Sequence, residues 1–326
     1  MNASVLITSS HWAEPAQQIL RNAGLEMVFM DEPVDEAALV QAYRTRPYVA
    51  TVLRGNRPFS EQVFAAASPT LKVVAKNGAG IDGVDVAAAT ARGIQILVAA
   101  GANADAVAEH ALAMMLSLVR QLGALDAQLR SGQWPASTFM GSDFRGSTVG
   151  IVGFGSIGRR TAQLCAALGA RVLVYQRPGS QRACDYETEQ DLPRFLSQLD
   201  VLSLHCPLNA NTRGFIGARE LACMKSTAVL INTARGPVVD EAALIDALQT
   251  GRLRGAGVDT FDIEPLPADH PFTRLPQMLI TPHVAGVTHQ AATRVATIAA
   301  ENIVRALAGL PAVPGRLVNP NALNAA

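Results

Sequence analysis

At 326 residues, with 49% hydrophobic residues, the chain is long enough for about two globular domains with ample core. Its 27 basic side chains balance 27 acidic ones, which gives no electrostatic reason to expect nucleic acid or an anionic membrane surface as partner. The most apolar stretch, Ala106–Val119, is interrupted by Glu109 and His110 and falls short of the ~20 residues of a membrane span.

The opening "MNASVLITSSHW" has no basic flank before an apolar core, so it reads as a first buried strand, Val5–Thr8, and not as a secretory signal. A helix is expected near Pro15–Asn22, followed by strands in "YVATVLRG", "LKVVAKNGAG" and "GIQILVAAG". A long alanine-rich helical segment, "ANADAVAEHALAMMLSLVRQLGALDAQLRSG", is apolar on more than one face and should be buried against other elements or a second subunit. From Ser147 six further strands recur: "TVGIVGF", "ARVLVYQ", "DVLSLHC", "AVLINTA", "GAGVDTF" and "QMLITPH". A helix Gln290–Leu307 and the irregular tail "PAVPGRLVNP" close the chain.

Strands alternating with helices predict α/β architecture with parallel sheets. The expected layout is two Rossmann-like domains. A doubly wound dinucleotide-binding domain, residues 101–286, is inserted in a flavodoxin-like substrate domain made of residues 1–100 and 287–326. Cys165, Cys184, Cys206 and Cys223 are widely spaced, so buried thiols in a reducing cytoplasm are expected rather than disulfides or a metal centre.

Gly153-Phe154-Gly155-Ser156-Ile157-Gly158 fits G-x-G-x-x-G directly between an apolar strand and a helical run. There Gly153 would make the tight turn, Gly155 would admit a pyrophosphate, and Gly158 would allow close helix–strand packing. Free N–H groups at Ser156, Ile157 and Gly158 and the helix dipole suit phosphate. The acid that usually ends the second strand and binds the adenosine ribose lies ~20 residues on. Gln176, 23 residues after Gly153, stands there with Arg177 beside it. An arginine pairs with a 2′-phosphate that a carboxylate would repel, so NADP is favoured over NAD.

Three later strands end in polar residues with chemical use: Arg235 in "INTARGPVVD", Asp259 and Glu264 in "GVDTFDIEP", and His283 in "LITPHVAG". Arginine grips a carboxylate or carbonyl through its planar fork, histidine exchanges protons near neutrality, and a carboxylate orients the ring. No histidine pair has metal-ligand spacing, so no metal is expected.

These segments, together with "KNGAGIDGVDVAAATARGI", "GANADAVAEHALAMML", "LHCPLNANTRGFIG" and "LINTARGPVVDEAAL", resemble the D-isomer-specific 2-hydroxyacid dehydrogenases over nearly the whole chain. That family includes enzymes similar to phosphoglycerate dehydrogenase and to glyoxylate/hydroxypyruvate reductase. The resemblance implies hydride transfer between a nicotinamide cofactor and a small 2-oxo or 2-hydroxy acid. Arg235 would bind substrate, His283 would act as acid/base, and Glu264 would pair with it. Substrate would also meet Arg54, Asn77, Gly78, Ala79 and Gly80, the last four as a carboxylate-binding loop. Besides the glycine loop, the cofactor would be lined by Cys206, Pro207, Thr212, Thr233, Ala234, Asp259, His283 and Gly286. The helix carrying Glu109 and His110 would take part in a homodimer interface. Glutamine at 176 and asparagine at 77 depart from the family pattern, while Glu264 argues against formate as substrate. A nucleotide-sensing corepressor-like protein and a phosphite-type dehydrogenase remain the alternatives.

Overall fold

The computed structural model describes residues 3–55, 57–67, 69–180 and 183–324, and the chain divides into two compact units, Met1–Asn103 with Val287–Ala326, and Ala104–Gly286. In the first unit β1 (Ser4–Ile7), α1 (Glu14–Asn22), β2 (Glu26–Phe29), α2 (Glu36–Thr45), β3 (Ala50–Leu53), α3 (Glu61–Ala67), β4 (Val73–Lys76), α4 (Val86–Ala91) and β5 (Gln95–Val98) follow one another. The five strands are parallel in the order β2-β1-β3-β4-β5. That is the flavodoxin-like order, whose switch point lies between β1 and β3.

Parallel strands covered on both faces read as continuous apolar runs, and β1, β3 and β4 are buried at every residue. One face packs Leu39, Phe59 and Phe64; the other packs Leu20 and the helix His289–Leu307 through Ala296, Ala299, Ala300 and Ile303. Leu20 is fully buried in α1, where such a side chain contributes about 2 kcal/mol relative to exposure. The tail then covers the open edge of β5. Asn319 Oδ1 accepts from Ile96 N at 2.8 Å, its Nδ2 donates to Ile94 O at 2.9 Å, and Val318 N donates to Ile96 O at 2.9 Å.

The second unit begins with α5 (Ala104–Val119) and α6 (Leu122–Arg130), then β6 (Thr148–Val152), α7 (Ser156–Ala167), β7 (Arg171–Tyr175) and β8 (Glu187–Glu189). It continues with α8 (Leu192–Ser197), β9 (Val201–Leu204), α9 (Ala218–Cys223), β10 (Val229–Asn232), α10 (Glu241–Gln249), β11 (Gly255–Val258) and β12 (Met278–Ile280). All seven strands are parallel, in the order β12-β11-β10-β9-β6-β7-β8. This is the Rossmann order with one added strand, and its switch point falls between β6 and β9.

Three features differ from the sequence expectations. The alanine-rich segment is two helices, because Gln121 turns left-handed at φ +56° and ends the first. Two strands escaped notice, β2 in the first sheet and β8 in the second; each is an edge strand with no fully buried residue. Edge strands need no apolar run on both faces, so their sequences, "EMVF" and "ETE", carry little strand signal.

Candidate active site

The turn from β6 into α7 is shaped by its glycines. Gly153 has φ +92°, and a Cβ there would meet the backbone nitrogen of Cys206 at 2.4 Å. A Cβ on Gly158 would stand 2.0 Å from the Gly153 carbonyl oxygen. Around Gly155, by contrast, nothing lies within 4 Å of the Cβ position. Gly155 caps α7 without a side-chain partner, so the first-turn N–H groups of Ser156, Ile157 and Gly158 remain available to an anion.

Beside this loop β7 delivers Gln176, half-buried, and Arg177, exposed. Cys206 is buried and Pro207 exposed in the turn that leaves β9. Thr212 closes that turn by donating its hydroxyl proton to Pro207 O at 2.6 Å. Thr233 and Ala234 follow β10, and the buried Thr233 Oγ1 has no hydrogen-bond partner among the described residues. An open glycine turn at the switch point, a helix N-terminus and an orphaned hydroxyl just after β10, two strands away in the same sheet, together suit a dinucleotide lying across the strand ends.

Adjacent strands β10, β11 and β12 carry the titratable residues. Asn232, which the sequence reading missed, ends β10. Its Nδ2 donates to Arg235 O at 2.8 Å and its Oδ1 accepts from Ala234 N at 3.0 Å, fixing the backbone of the arginine turn. The Arg235 guanidinium donates to Ala234 O at 2.6 Å. After β11, Glu264 turns back on its own loop, with Oε1 accepting from Phe261 N at 3.0 Å and Oε2 lying 2.7 Å from His283 Nδ1. A carboxylate only accepts, so Nδ1 carries the hydrogen and Nε2 is left for proton exchange. Both side chains are reachable by solvent, His283 with 45% and Glu264 with 32% of its side-chain surface exposed.

His283 adopts left-handed φ of +52°, a conformation costing about 1–3 kcal/mol for such a residue unless its surroundings hold it. Asp259 supplies the hold. It is 1% exposed, and its Oδ1 accepts from Val284 N at 2.9 Å while Oδ2 accepts from Ala285 N at 2.9 Å. Thr281 Oγ1 also donates to Asp259 Oδ1, at 2.6 Å. Gly286 follows, half-buried, at the end of this unit.

In the other unit Arg54 and Asn77 leave β3 and β4, which pair in register at Leu53 and Lys76. Arg54 Nη1 donates to Ser9 Oγ at 2.7 Å and to His11 O at 3.2 Å. Trp12 Nε1 donates to Asn77 Oδ1 at 2.9 Å, a contact no sequence signal announced. An indole nitrogen only donates, so the Asn77 amide is oriented with its Nδ2 hydrogens turned away from Trp12. Gly78, Ala79 and Gly80 follow, and none of their N–H groups donates to a backbone acceptor among the described residues.

Burial shifts three further groups, His205, Cys165 and Cys206. His205, which hydrogen-bonds Ser203 Oγ at 2.9 Å, is pushed down to about 4 by burial. Burial pushes the Cys165 thiol up to about 12 and raises that of Cys206, so both stay protonated and unreactive near neutrality. Among the described residues no group of three or more His, Cys, Asp or Glu side chains is placed to hold a metal ion. No described helix is long and apolar enough to cross a membrane.

Residues 112–285 match the family described as D-isomer specific 2-hydroxyacid dehydrogenase, NAD binding domain. D-3-phosphoglycerate dehydrogenase of Mycobacterium tuberculosis is 43% identical over 262 residues, 80% of this chain and 49% of that protein, so the chain spans about half the length of this relative. Glyoxylate reductase of Thermofilum pendens is 39% identical over 267 residues, covering 79% of this chain and 77% of that one. An NADPH-dependent glyoxylate/hydroxypyruvate reductase from Sinorhizobium meliloti, solved with NADP and malonate, superposes with a TM-score of 0.83 at 27% identity over 99% of this chain and 98% of that one. By its matched residues, its two parallel sheets and these relatives, the chain belongs to the D-isomer-specific 2-hydroxyacid dehydrogenase family.

Proposed function

We propose that this protein reduces a small 2-oxo acid to the 2-hydroxy acid with a nicotinamide cofactor, and that it prefers NADPH. The observation that carries the reading is the pairing of Glu264 Oε2 with His283 Nδ1 at 2.7 Å, on loops leaving the same sheet end as an open glycine turn. Ser156, Ile157 and Gly158 would hold the pyrophosphate, Thr233 and Ala234 would line the cofactor, and Arg177 would face the ribose phosphate. The cofactor, when bound, supplies the hydride.

The remaining work falls to this chain's side chains. Arg235 would draw the carboxylate and carbonyl of the oxo acid into a bidentate grip; in the other unit Arg54 and the N–H groups of Gly78, Ala79 and Gly80 would offer donors to a carboxylate. Glu264 keeps the His283 ring oriented through Nδ1, and Nε2 gives its proton to the carbonyl oxygen as negative charge develops there. In the oxidative direction Nε2 takes the hydroxyl proton back. The unit made of Met1–Asn103 and Val287–Ala326 would thus be the substrate unit. A homodimer is part of the reading, supported by the exposed apolar side chains Leu122, Leu129, Trp134 and Met140 on and after α6.

Steady-state reduction of glyoxylate and hydroxypyruvate with NADPH and with NADH tests both halves. Turnover of either acid with at least a tenfold preference for NADPH, lost in Arg177→Ala, supports the account; a factor of ten corresponds to about 1.4 kcal/mol, within reach of one charge-assisted hydrogen bond. Equal use of NADH, unchanged by Arg177→Ala, returns the cofactor to NAD.

A further inference from the structure

We propose that His110, on α5, is a positioning residue for His283, acting through Thr281 and Asp259; this rests on the reading of His283 as the acid/base. The sequence offers only a histidine in mid-helix, 173 residues from His283. In the structure its Nε2 lies 3.0 Å from Thr281 Oγ1 and 3.9 Å from Asp259 Oδ1.

The directions of these bonds follow from chemistry. Asp259 as a carboxylate accepts only, so the single hydroxyl proton of Thr281 goes to Asp259 Oδ1 at 2.6 Å. Thr281 then has only lone pairs left for His110, so His110 Nε2 must carry a hydrogen and donate it. The result is a directed chain from His110 Nε2–H to Thr281 Oγ1 to Asp259, ending on the N–H groups of Val284 and Ala285. Those two residues follow His283 directly. Through these bonds Asp259 holds that loop's backbone in the left-handed turn at His283. His110 completes the chain by setting the direction of the Thr281 hydroxyl, which otherwise could rotate away from Asp259.

The arrangement predicts a tautomer, which can be read without turnover. In 15N-histidine-labelled protein the His110 ring should carry a hydrogen at Nε2, and Thr281→Val should shift that signal. In steady-state kinetics His110→Leu and Thr281→Val should each lower kcat about tenfold, the order of effect of one lost hydrogen bond in a charged network. His110→Gln and Thr281→Ser, which restore a donor and a hydroxyl, should recover most of it. The loss should appear in kcat more than in cofactor affinity, measured by fluorescence titration. A His110 ring protonated at Nδ1 only, wild-type kcat in His110→Leu, or a loss that appears in cofactor affinity instead of kcat would each overturn the proposal. Failure of the wild type to reduce any oxo acid would instead sink the oxidoreductase reading, and the tautomer would still report on the chain.

Discussion

The loop after β6 and the loop after β12 leave the same end of one parallel sheet, yet they are built in opposite ways. The first is nearly bare: around Gly155 the Cβ position is empty to 4 Å, and its ligands would be backbone N–H groups. The second is crowded, with Thr281, Val284 and Ala285 tied to a buried Asp259 and His283 tied to Glu264. A pyrophosphate needs space and a field of donors, which backbone supplies once side chains are absent. Proton transfer needs one imidazole nitrogen held in one place, which takes a shell of fixed partners. One architecture thus carries two kinds of chemistry, and the difference lies in whether side chains are removed or pinned.

Substitutions can break each loop in its own way. The largest effect is expected at Gly158, where a methyl group would stand 2.0 Å from the Gly153 carbonyl oxygen, and that atom is backbone that cannot swing aside. Gly158→Ala should cost about 3 kcal/mol of stability and weaken cofactor binding about a hundredfold, read by thermal melting and fluorescence titration. Gly155→Ala sharpens the contrast: it should melt like the wild type, since nothing lies within 4 Å, while still losing cofactor affinity.

A smaller effect is expected at the histidine loop. Glu264→Gln keeps an acceptor for His283 Nδ1 but removes the charge, and kcat should fall about tenfold with cofactor affinity unchanged. The smallest effect lies outside both loops, at His205. Its folded value of about 4 is below the ordinary 6.5, so below pH 6.5 the unfolded chain takes up a proton that the folded chain refuses. Stability contributed by the neutral ring is complete above pH 6.5 and is lost as the pH falls towards 4, at no more than about 1.4 kcal/mol per unit. Melting curves of wild type and His205→Gln between pH 7 and 5 should therefore converge as acid is added, if the variant is the less stable one at neutrality.

Much of this was legible in the chain before any coordinates. Buried parallel strands announce themselves as apolar runs, so ten of the strands, from β1 to β12 with β2 and β8 excepted, stood out in the sequence. Glycines 153, 155 and 158 were readable because each needs the absence of a side chain for a different local reason. Arg235, Glu264 and His283 could be singled out because strand ends in an open α/β sheet face the ligand crevice. The supporting partners could not. His110 meets Thr281 across 171 residues, Trp12 meets Asn77 across 65, and only the folded sheets create those neighbours. Asp259 illustrates the limit: its position suggested a residue near the cofactor, and its hydrogen bonds to the loop of His283 carried no signal in the sequence.

The central claim is that His283, oriented by Glu264, exchanges the proton in the reduction of a 2-oxo acid. The most direct measurement is reduction of glyoxylate and hydroxypyruvate by wild type and His283→Gln, with cofactor affinity determined on both proteins. The account predicts turnover by the wild type and a loss of about a thousandfold in the variant, the contribution expected of a positioned general acid, with cofactor affinity retained. Equal turnover by the two proteins, or no turnover of either acid by the wild type with NADPH or NADH, would contradict it.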